Sequence, residues 1–83
     1  MDDQTRRQWI NRGLAVLDQV EGWDSVVPAA RSVLQRLLAE LDLPVSERKV
    51  DGQALTTVLT SNPDFLNDPS AGELLGIAAA LTD

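Results

Sequence analysis

One carboxylate-rich segment of the sequence has the spacing of a metal-binding loop. In NPDFLNDPSAGE, four potential ligands occupy positions 1, 3, 7 and 12 of a twelve-residue window, namely Asn62, Asp64, Asp68 and Glu73. A calcium loop also needs an oxygen ligand at position 5 and glycine at position 6, where this sequence has Leu66 and Asn67. Two prolines interrupt the window as well. We therefore predict that these side chains cap helices and that the protein binds no metal.

The amino-acid inventory restricts catalysis further. The sequence contains no His, Cys or Tyr, so it lacks the commonest general base near neutral pH and the strongest side-chain nucleophile. The remaining Asp, Glu, Ser, Thr, Lys49 and Arg residues show no recognisable catalytic spacing. We predict that the protein is not an enzyme and uses no cofactor.

The pair Asp24-Ser25 lies at the predicted start of the second helix. A side-chain oxygen at such a position can accept hydrogen bonds from the free amide groups of the first turn. In this capping interpretation Pro28 lies in the first turn, where proline is tolerated, and Trp23 packs back onto the first helix.

The stretch GWDSVVPAARSVLQRLLAELDLPV also resembles the central segment of acyl and peptidyl carrier proteins, in which an Asp-Ser-aliphatic motif begins an amphipathic helix. The resemblance implies that Ser25 carries a phosphopantetheine arm, with Asp24 and Val26 completing the motif. That family places a long loop before the motif, whereas here only about Glu21 to Trp23 separate it from the first helix. We prefer the capping interpretation and keep the carrier as an alternative.

Acidic residues are concentrated in the second half of the chain. Residues 1–36 contain five Arg and five acidic residues, whereas residues 37–83 contain two basic and eight acidic residues, so the net charge of −6 belongs to the second half. Because affinity for phosphate backbones comes from Lys and Arg, we expect no direct binding to nucleic acid. An acidic face can mimic nucleic acid or meet a basic protein, but we prefer the interpretation that it is a solvated surface that keeps the domain soluble.

Hydrophobic periodicity predicts four principal helices and no strand. They span about Gln4 to Val20, Val27 to the residues before Pro44, Gly52 to about Ser61 and Pro69 to about Leu81. Asp51 is expected to cap the third helix, and Asn62-Pro63 to start a short extra turn through Phe65 and Leu66. The fold class is therefore all-α, a single domain over residues 1–83 that forms a small compact bundle with an extra helical turn near 63–67.

The second helix carries the clearest core pattern. Its apolar positions are spaced 3, 4, 3 and 4 residues apart, at Val27, Ala30, Leu34, Leu37 and Leu41. This spacing places them on one face of a helix, so we expect Leu34, Leu37 and Leu41 to be nearly buried. In the connector after this helix, Val45 and Val50 are expected to turn inward.

A stripe of small residues on the last helix is a candidate protein interface. Gly72, Gly76 and Ala80 stand four residues apart, and glycine inside a helix costs about 0.8–1 kcal/mol relative to alanine. The stripe therefore suggests that something approaches the backbone closely. With Leu74, Leu75, Ala78 and Leu81 facing the core, we expect the stripe and Ile77 to meet another helix. That helix is either the first helix of the same chain or a second subunit, and a homodimer is slightly favoured.

Three arginines form a second candidate interface. Arg6, Arg7 and Arg12 make one end of the chain basic, and Asp64, Asp68 and Glu73 make another acidic. Such a dipolar surface can support head-to-tail contacts or bind an acidic partner along the first helix.

Together these features predict a non-catalytic protein interaction module, such as an adaptor, an assembly factor or a small inhibitor. The alternatives are a divergent carrier protein with its arm on Ser25 and an acidic mimic of nucleic acid. No apolar segment approaches the ~18–20 residues needed to cross a bilayer, and the opening MDDQTRRQW is polar. We expect a cytoplasmic protein that makes no membrane contact.

Overall fold

The computed structural model describes residues 2–82 and confirms the all-α fold. Its four α-helices are α1 (Asp3–Gln19), α2 (Val27–Glu40), α3 (Gly52–Thr60) and α4 (Pro69–Thr82). A 3₁₀ helix at Pro63–Asn67 is the predicted short turn, and a second one at Val45–Glu47 was not predicted. Over residues 2–82 there is no strand.

Side-chain caps fix the starts of most helices. Asp51 accepts a hydrogen bond from the Gln53 amide at 2.9 Å, as predicted for α3. Asn62 caps the 63–67 turn, and Asp68 accepts from the Ser70 amide at 2.9 Å at the start of α4. Each cap contributes about 1 kcal/mol, so short polar side chains divide the second half of the chain into its elements.

The start of α2 corrects the capping interpretation. No side chain caps this helix, and Asp24 and Ser25 are both exposed. The amides of Val26 and Val27 instead donate to the carbonyl oxygen of Trp23, both at 2.9 Å. Because the backbone supplies the acceptor, the first turn needs no side-chain oxygen. Pro28 does lie in the first turn, as predicted.

All four α-helices share the core: α4 contributes the most buried apolar side chains and packs against α1 and α3, and α2 packs against the same two helices. The predicted stripe is confirmed, since Leu34, Leu37 and Leu41 are only 0%, 4% and 7% exposed. α1 crosses α2 at Gly13, where an added Cβ would lie 2.9 Å from a methyl carbon of Leu34. This glycine allows α1 to approach α2 closely.

The connector between α2 and α3 differs from its prediction. α2 ends at Glu40, before the predicted boundary at Pro44, because a turn follows in which Arg48 donates to the carbonyl oxygens of Leu41 and Leu43. Val45 is 76% exposed and does not turn inward, whereas Val50 is half-buried. An arginine is thus largely covered in the connector, since the Arg48 side chain is 15% exposed.

Candidate functional site

The metal-loop residues do not converge on one point. Asn62 and Asp68 are occupied as helix caps, and Glu73 accepts a hydrogen bond from Arg12 of α1. Within residues 2–82 no group of three or more His, Cys, Asp or Glu side chains is placed to hold a metal ion. Three residues with the spacing of metal ligands in the sequence therefore have other roles: Asn62 and Asp68 cap helices, and Glu73 forms an ion pair with Arg12.

Trp23 contacts the segment before α4, an interaction that was not predicted. Its ring meets Phe65 edge to face, with centroids 5.4 Å apart and planes at 83°, and its Nε1 donates to Asp68 at 3.1 Å. Gly22 (φ 79°) and Trp23 (φ 56°) both adopt the left-handed conformation, and the packing of Trp23 onto the first helix stays a prediction. This turn directs the indole to the segment before α4. Ser25 stays exposed beside it.

The three candidate arginines do not form one basic end. Arg12 donates to Glu73 with an Nε to Oε1 distance of 2.7 Å, and Arg6 donates to the Leu81 carbonyl oxygen at 3.1 Å. Both residues therefore join α1 to α4, while Arg7 is exposed. The predicted separation of a basic from an acidic end is wrong for Arg12 and Glu73, because the antiparallel packing of α1 on α4 brings them together.

The small-residue stripe of α4 is open to solvent. A Cβ built at Gly72 or at Gly76 would meet no atom within 4 Å. Close packing of this stripe on the first helix of the same chain is therefore wrong. Ile77 does meet the first helix of the same chain, since its Cγ2 lies 3.6 Å from a Cβ built on Gly13, and at 1% exposure it is not available to a second subunit.

Besides Gly13, Gly52 also permits a close approach between two helices. A Cβ at this position would collide with the Ala78 carbonyl oxygen and would lie 2.7 Å from the Thr82 amide nitrogen. The first turn of α3 therefore rests directly on the backbone of α4. The sequence signal was available, since Gly52 follows the capping Asp51, but glycine at a helix start is also common without any contact.

The solvent side of α4 is nearly free of charge. We define the α4 face as the exposed or half-exposed residues Gly72, Gly76, Ala79 and Ala80. Leu75 is half-buried and packs against the core, as predicted. Glu73 is the single charged residue of α4, and it forms an ion pair with Arg12. A helix that is apolar all round is normally buried on all sides, so a neutral, apolar face exposed to water is unusual.

An exposed tryptophan of α1 lies beside the α4 face. Trp9 is three residues from both Arg6 and Arg12, which contact Leu81 and Glu73 of α4, so it lies on the side of α1 that borders α4. In this antiparallel register Trp9 is level with Ile77, the residue after Gly76. Trp9 is 37% exposed, and since no atom lies within 4 Å of a Cβ at Gly76, the indole does not cover the glycine.

A polar network that the sequence analysis missed holds the connector between α2 and α3. The Glu40 residue is 8% exposed, and its carboxylate accepts hydrogen bonds from the Lys49 and Val50 amides at 2.7 and 3.1 Å. Those amides, chiefly that of Val50, lower the pKa of Glu40. Arg48 donates to both carboxylate oxygens of Asp3 at 3.0 Å, which lowers the pKa of Asp3.

A concavity of about 340 Å³ lies next to this network, lined by Asp3, Arg6, Val45, Arg48 and Val50 among others. Its arginines already donate to Asp3 and to backbone carbonyl oxygens. These hydrogen bonds tie α1 to the connector. The arginines that line the concavity therefore have a structural role.

Comparison of the chain with protein-family models, with known proteins and with solved structures finds no significant match. In the described part of the chain, no helix is both long enough and apolar enough to span a membrane. The resemblance of the Ser25 segment to carrier proteins stays a prediction from the sequence.

Proposed function

We propose that the protein is a non-catalytic interaction module that binds another protein chain through the α4 face and Trp9. The observation that carries the proposal is that α4 exposes open glycines and alanines where a surface helix normally has charged or polar side chains. Gly76 reduces helix stability without easing any contact inside the monomer. Close contact of Gly76 with the backbone of a partner chain would offset this loss of helix stability.

Trp9 strengthens the proposal because tryptophan is among the residues that dominate binding energy at interfaces. It stands on the rim of the α4 face with more than a third of its surface exposed. A partner segment seated on α4 would cover the indole and the open glycines together. We expect this binding to take place in the cytoplasm.

Site-specific photocrosslinking tests the proposal with a matched pair of positions. A photoreactive amino acid replaces Ala79 on the α4 face or Ala15 on the exposed side of α1, and the protein is expressed in its native cells. Both alanines are exposed in helices. We expect a defined crosslinked protein from position 79 and none from position 15. No adduct at position 79, or the same adducts from both positions, would contradict the proposal.

Salt dependence separates this proposal from the nucleic-acid mimic. Contacts between exposed charges are screened at high ionic strength, whereas apolar burial is not. The crosslinked adduct from position 79 should form with similar yield at low and high salt in a cell extract. A yield that falls steeply with salt would favour the acidic mimic.

The carrier alternative has its own test at Ser25. Incubation with a promiscuous phosphopantetheinyl transferase and coenzyme A should leave the mass of the protein unchanged, because α2 follows α1 without the long loop of carrier proteins. Ser25→Ala is the control. A mass gain that disappears in this variant would establish the carrier function.

A further inference from the structure

The connector between α2 and α3 exposes apolar side chains at its tip. We define the connector tip as residues 42–47, all of which are exposed. Of the four large apolar side chains that are exposed in the described part of the chain, two lie here, Leu43 at 41% and Val45 at 76%. Single exposed apolar residues are normal on a protein surface, but these two stand on either side of Pro44. The tip therefore concentrates exposed apolar surface in three consecutive residues.

Hydrogen bonds fix the backbone of the connector tip. Arg48 donates to the Leu43 carbonyl oxygen at 3.1 Å and to both carboxylate oxygens of Asp3 at 3.0 Å, which fastens the tip to α1. Inside the tip the Glu47 amide donates to the Pro44 carbonyl oxygen at 2.9 Å, and the proline ring restricts φ. These bonds bury neither apolar side chain. A binding segment that is already ordered loses less conformational entropy when it binds, so the tip is preorganised for contact.

Carboxylates stand at both ends of the connector tip. Asp42 begins it and Glu47 ends it, with no basic residue between them. Among the residues that the structure describes, neither carboxylate forms an ion pair. Arg48 is already paired with Asp3, which leaves Lys49 as the remaining cation of the connector. A surface that is apolar at its centre and anionic at its ends is complementary to an apolar pocket with cations at its rim.

We infer that the connector tip is a second protein-binding site, whose two apolar side chains enter an apolar pocket of a partner protein. Asp42 and Glu47 pair with lysine or arginine side chains at the rim of that pocket. Arg48 is a positioning residue, because it holds the tip in place from inside the connector. The net charge of −6 makes a second copy of this chain a poor partner. The site lies on a different element from the α4 face and does not depend on it.

Photocrosslinking at Val45 identifies the partner. A photoreactive amino acid replaces Val45 or, as a matched exposed apolar position, Leu66 at 43% exposure, and each protein is expressed in its native cells. We expect a defined adduct with a different protein from position 45 and none from position 66. The inference is overturned by no adduct at position 45, by the same adduct from both positions, or by an adduct with the mass of two copies of this chain.

Calorimetric titration of the purified pair tests the chemistry of the contact. Val45→Ser should raise the dissociation constant at least ~tenfold, because it removes an apolar anchor. The double variant Asp42→Asn, Glu47→Gln should weaken binding at low salt and should lose the salt dependence of the wild-type affinity. Leu66→Ser is the control and should keep the wild-type constant. An unchanged constant in Val45→Ser, or an unchanged salt dependence in the double variant, would contradict the inference.

Arg48→Lys tests whether the tip must be held in place. Lysine keeps the charge but cannot reproduce the paired bonds to Asp3, so the dissociation constant should rise at least ~threefold although the tip itself is unaltered. Asp3→Asn serves if circular dichroism shows that Arg48→Lys is not folded. Wild-type affinity in the folded variant overturns the positioning role. An adduct at position 45 without one at position 79 supports the tip and removes the α4 face, and the reverse removes the tip alone.

Discussion

A hydrogen atom in place of a side chain has opposite consequences at Gly52 and Gly76. At Gly52 it lets the first turn of α3 touch the backbone of α4, because a Cβ there would collide with the Ala78 carbonyl oxygen. At Gly76 it leaves open space outside α4. The residue type is the same, but only the first glycine is needed for the packing of the monomer.

This difference predicts stability changes of opposite sign. Gly52→Ala should lower the free energy of unfolding by about 1–3 kcal/mol through overpacking. Gly76→Ala should raise it by about 0.5–1 kcal/mol, because alanine loses less backbone entropy in a helix. Urea denaturation at a protein concentration low enough to keep the chain monomeric measures both. Equal effects of the same sign would show that the α3–α4 contact is not as close as described.

The connector between α2 and α3 shows how one element is fixed by groups from several others. Glu40 at the end of α2 accepts the Lys49 and Val50 amides, and Arg48 bridges the connector to Asp3 at the start of α1. These bonds hold a segment that includes the exposed Val45. Acidic side chains at the N-terminus of α1 also suit the helix dipole.

This network predicts a stability that decreases in acid. Hydrogen bonds lower the pKa of Glu40 from its ordinary 4.5 and that of Asp3 from 3.8, so the unfolded chain binds protons more readily than the folded one. Their contribution is complete above these ordinary values and is lost as the pH falls through the lowered values of the folded protein. The urea midpoint should therefore fall between about pH 6 and pH 3.

The variant Glu40→Gln tests which group is responsible. It removes the ionisable carboxylate that accepts the Lys49 and Val50 amides, so the midpoint should be lower near neutral pH and should depend less on pH in the acidic range. Glu21→Gln, at an exposed position, is the matched control and should retain the wild-type profile. An unchanged profile in Glu40→Gln would exclude Glu40 as a source of the acid sensitivity.

For the molecule as a whole, one core must stabilise 83 residues without disulfides. Small domains of this size seldom gain more than ~3–5 kcal/mol from a single core. α1 and α3 each pack on both α2 and α4, and α4 also exposes a neutral face. A marginal core and an unpaired apolar helix face both favour association with another chain, which is the proposed role of the protein.

The single core predicts a severe effect of truncating Leu37. This residue is 4% exposed, so Leu37→Ala should lower the free energy of unfolding by about 2–5 kcal/mol, close to the entire stability expected. Leu66→Ala, at 43% exposure, should change it by less than about 0.5 kcal/mol. Urea denaturation measures both variants. A wild-type midpoint in Leu37→Ala would mean that the face of α2 is not the core.

The sequence by itself determined the helices, most of their caps and the core face of α2. These features depend on residues within a turn or two of each other, such as Asp51 with Gln53 or the repeat through Leu34 and Leu37. Local hydrogen bonding and the helical period act over the same short range. The prediction failed locally where the backbone carbonyl of Trp23 replaced a side-chain cap on α2, and in the connector, where the 3₁₀ helix Val45–Glu47 was missed and Val45 is exposed.

The tertiary structure alone decided which surfaces these helices expose. Two alternatives stayed open for Ile77, the first helix or a second subunit, because α4 is apolar on every side and its periodicity does not reveal which residues face the core. Arg12 and Glu73 are 61 residues apart, and Trp23 and Asp68 are 45 apart. Contacts at such separations exist only because particular helices meet in a particular register. The open Gly76 beside Trp9 is a product of that register, and no local pattern of the sequence contains it.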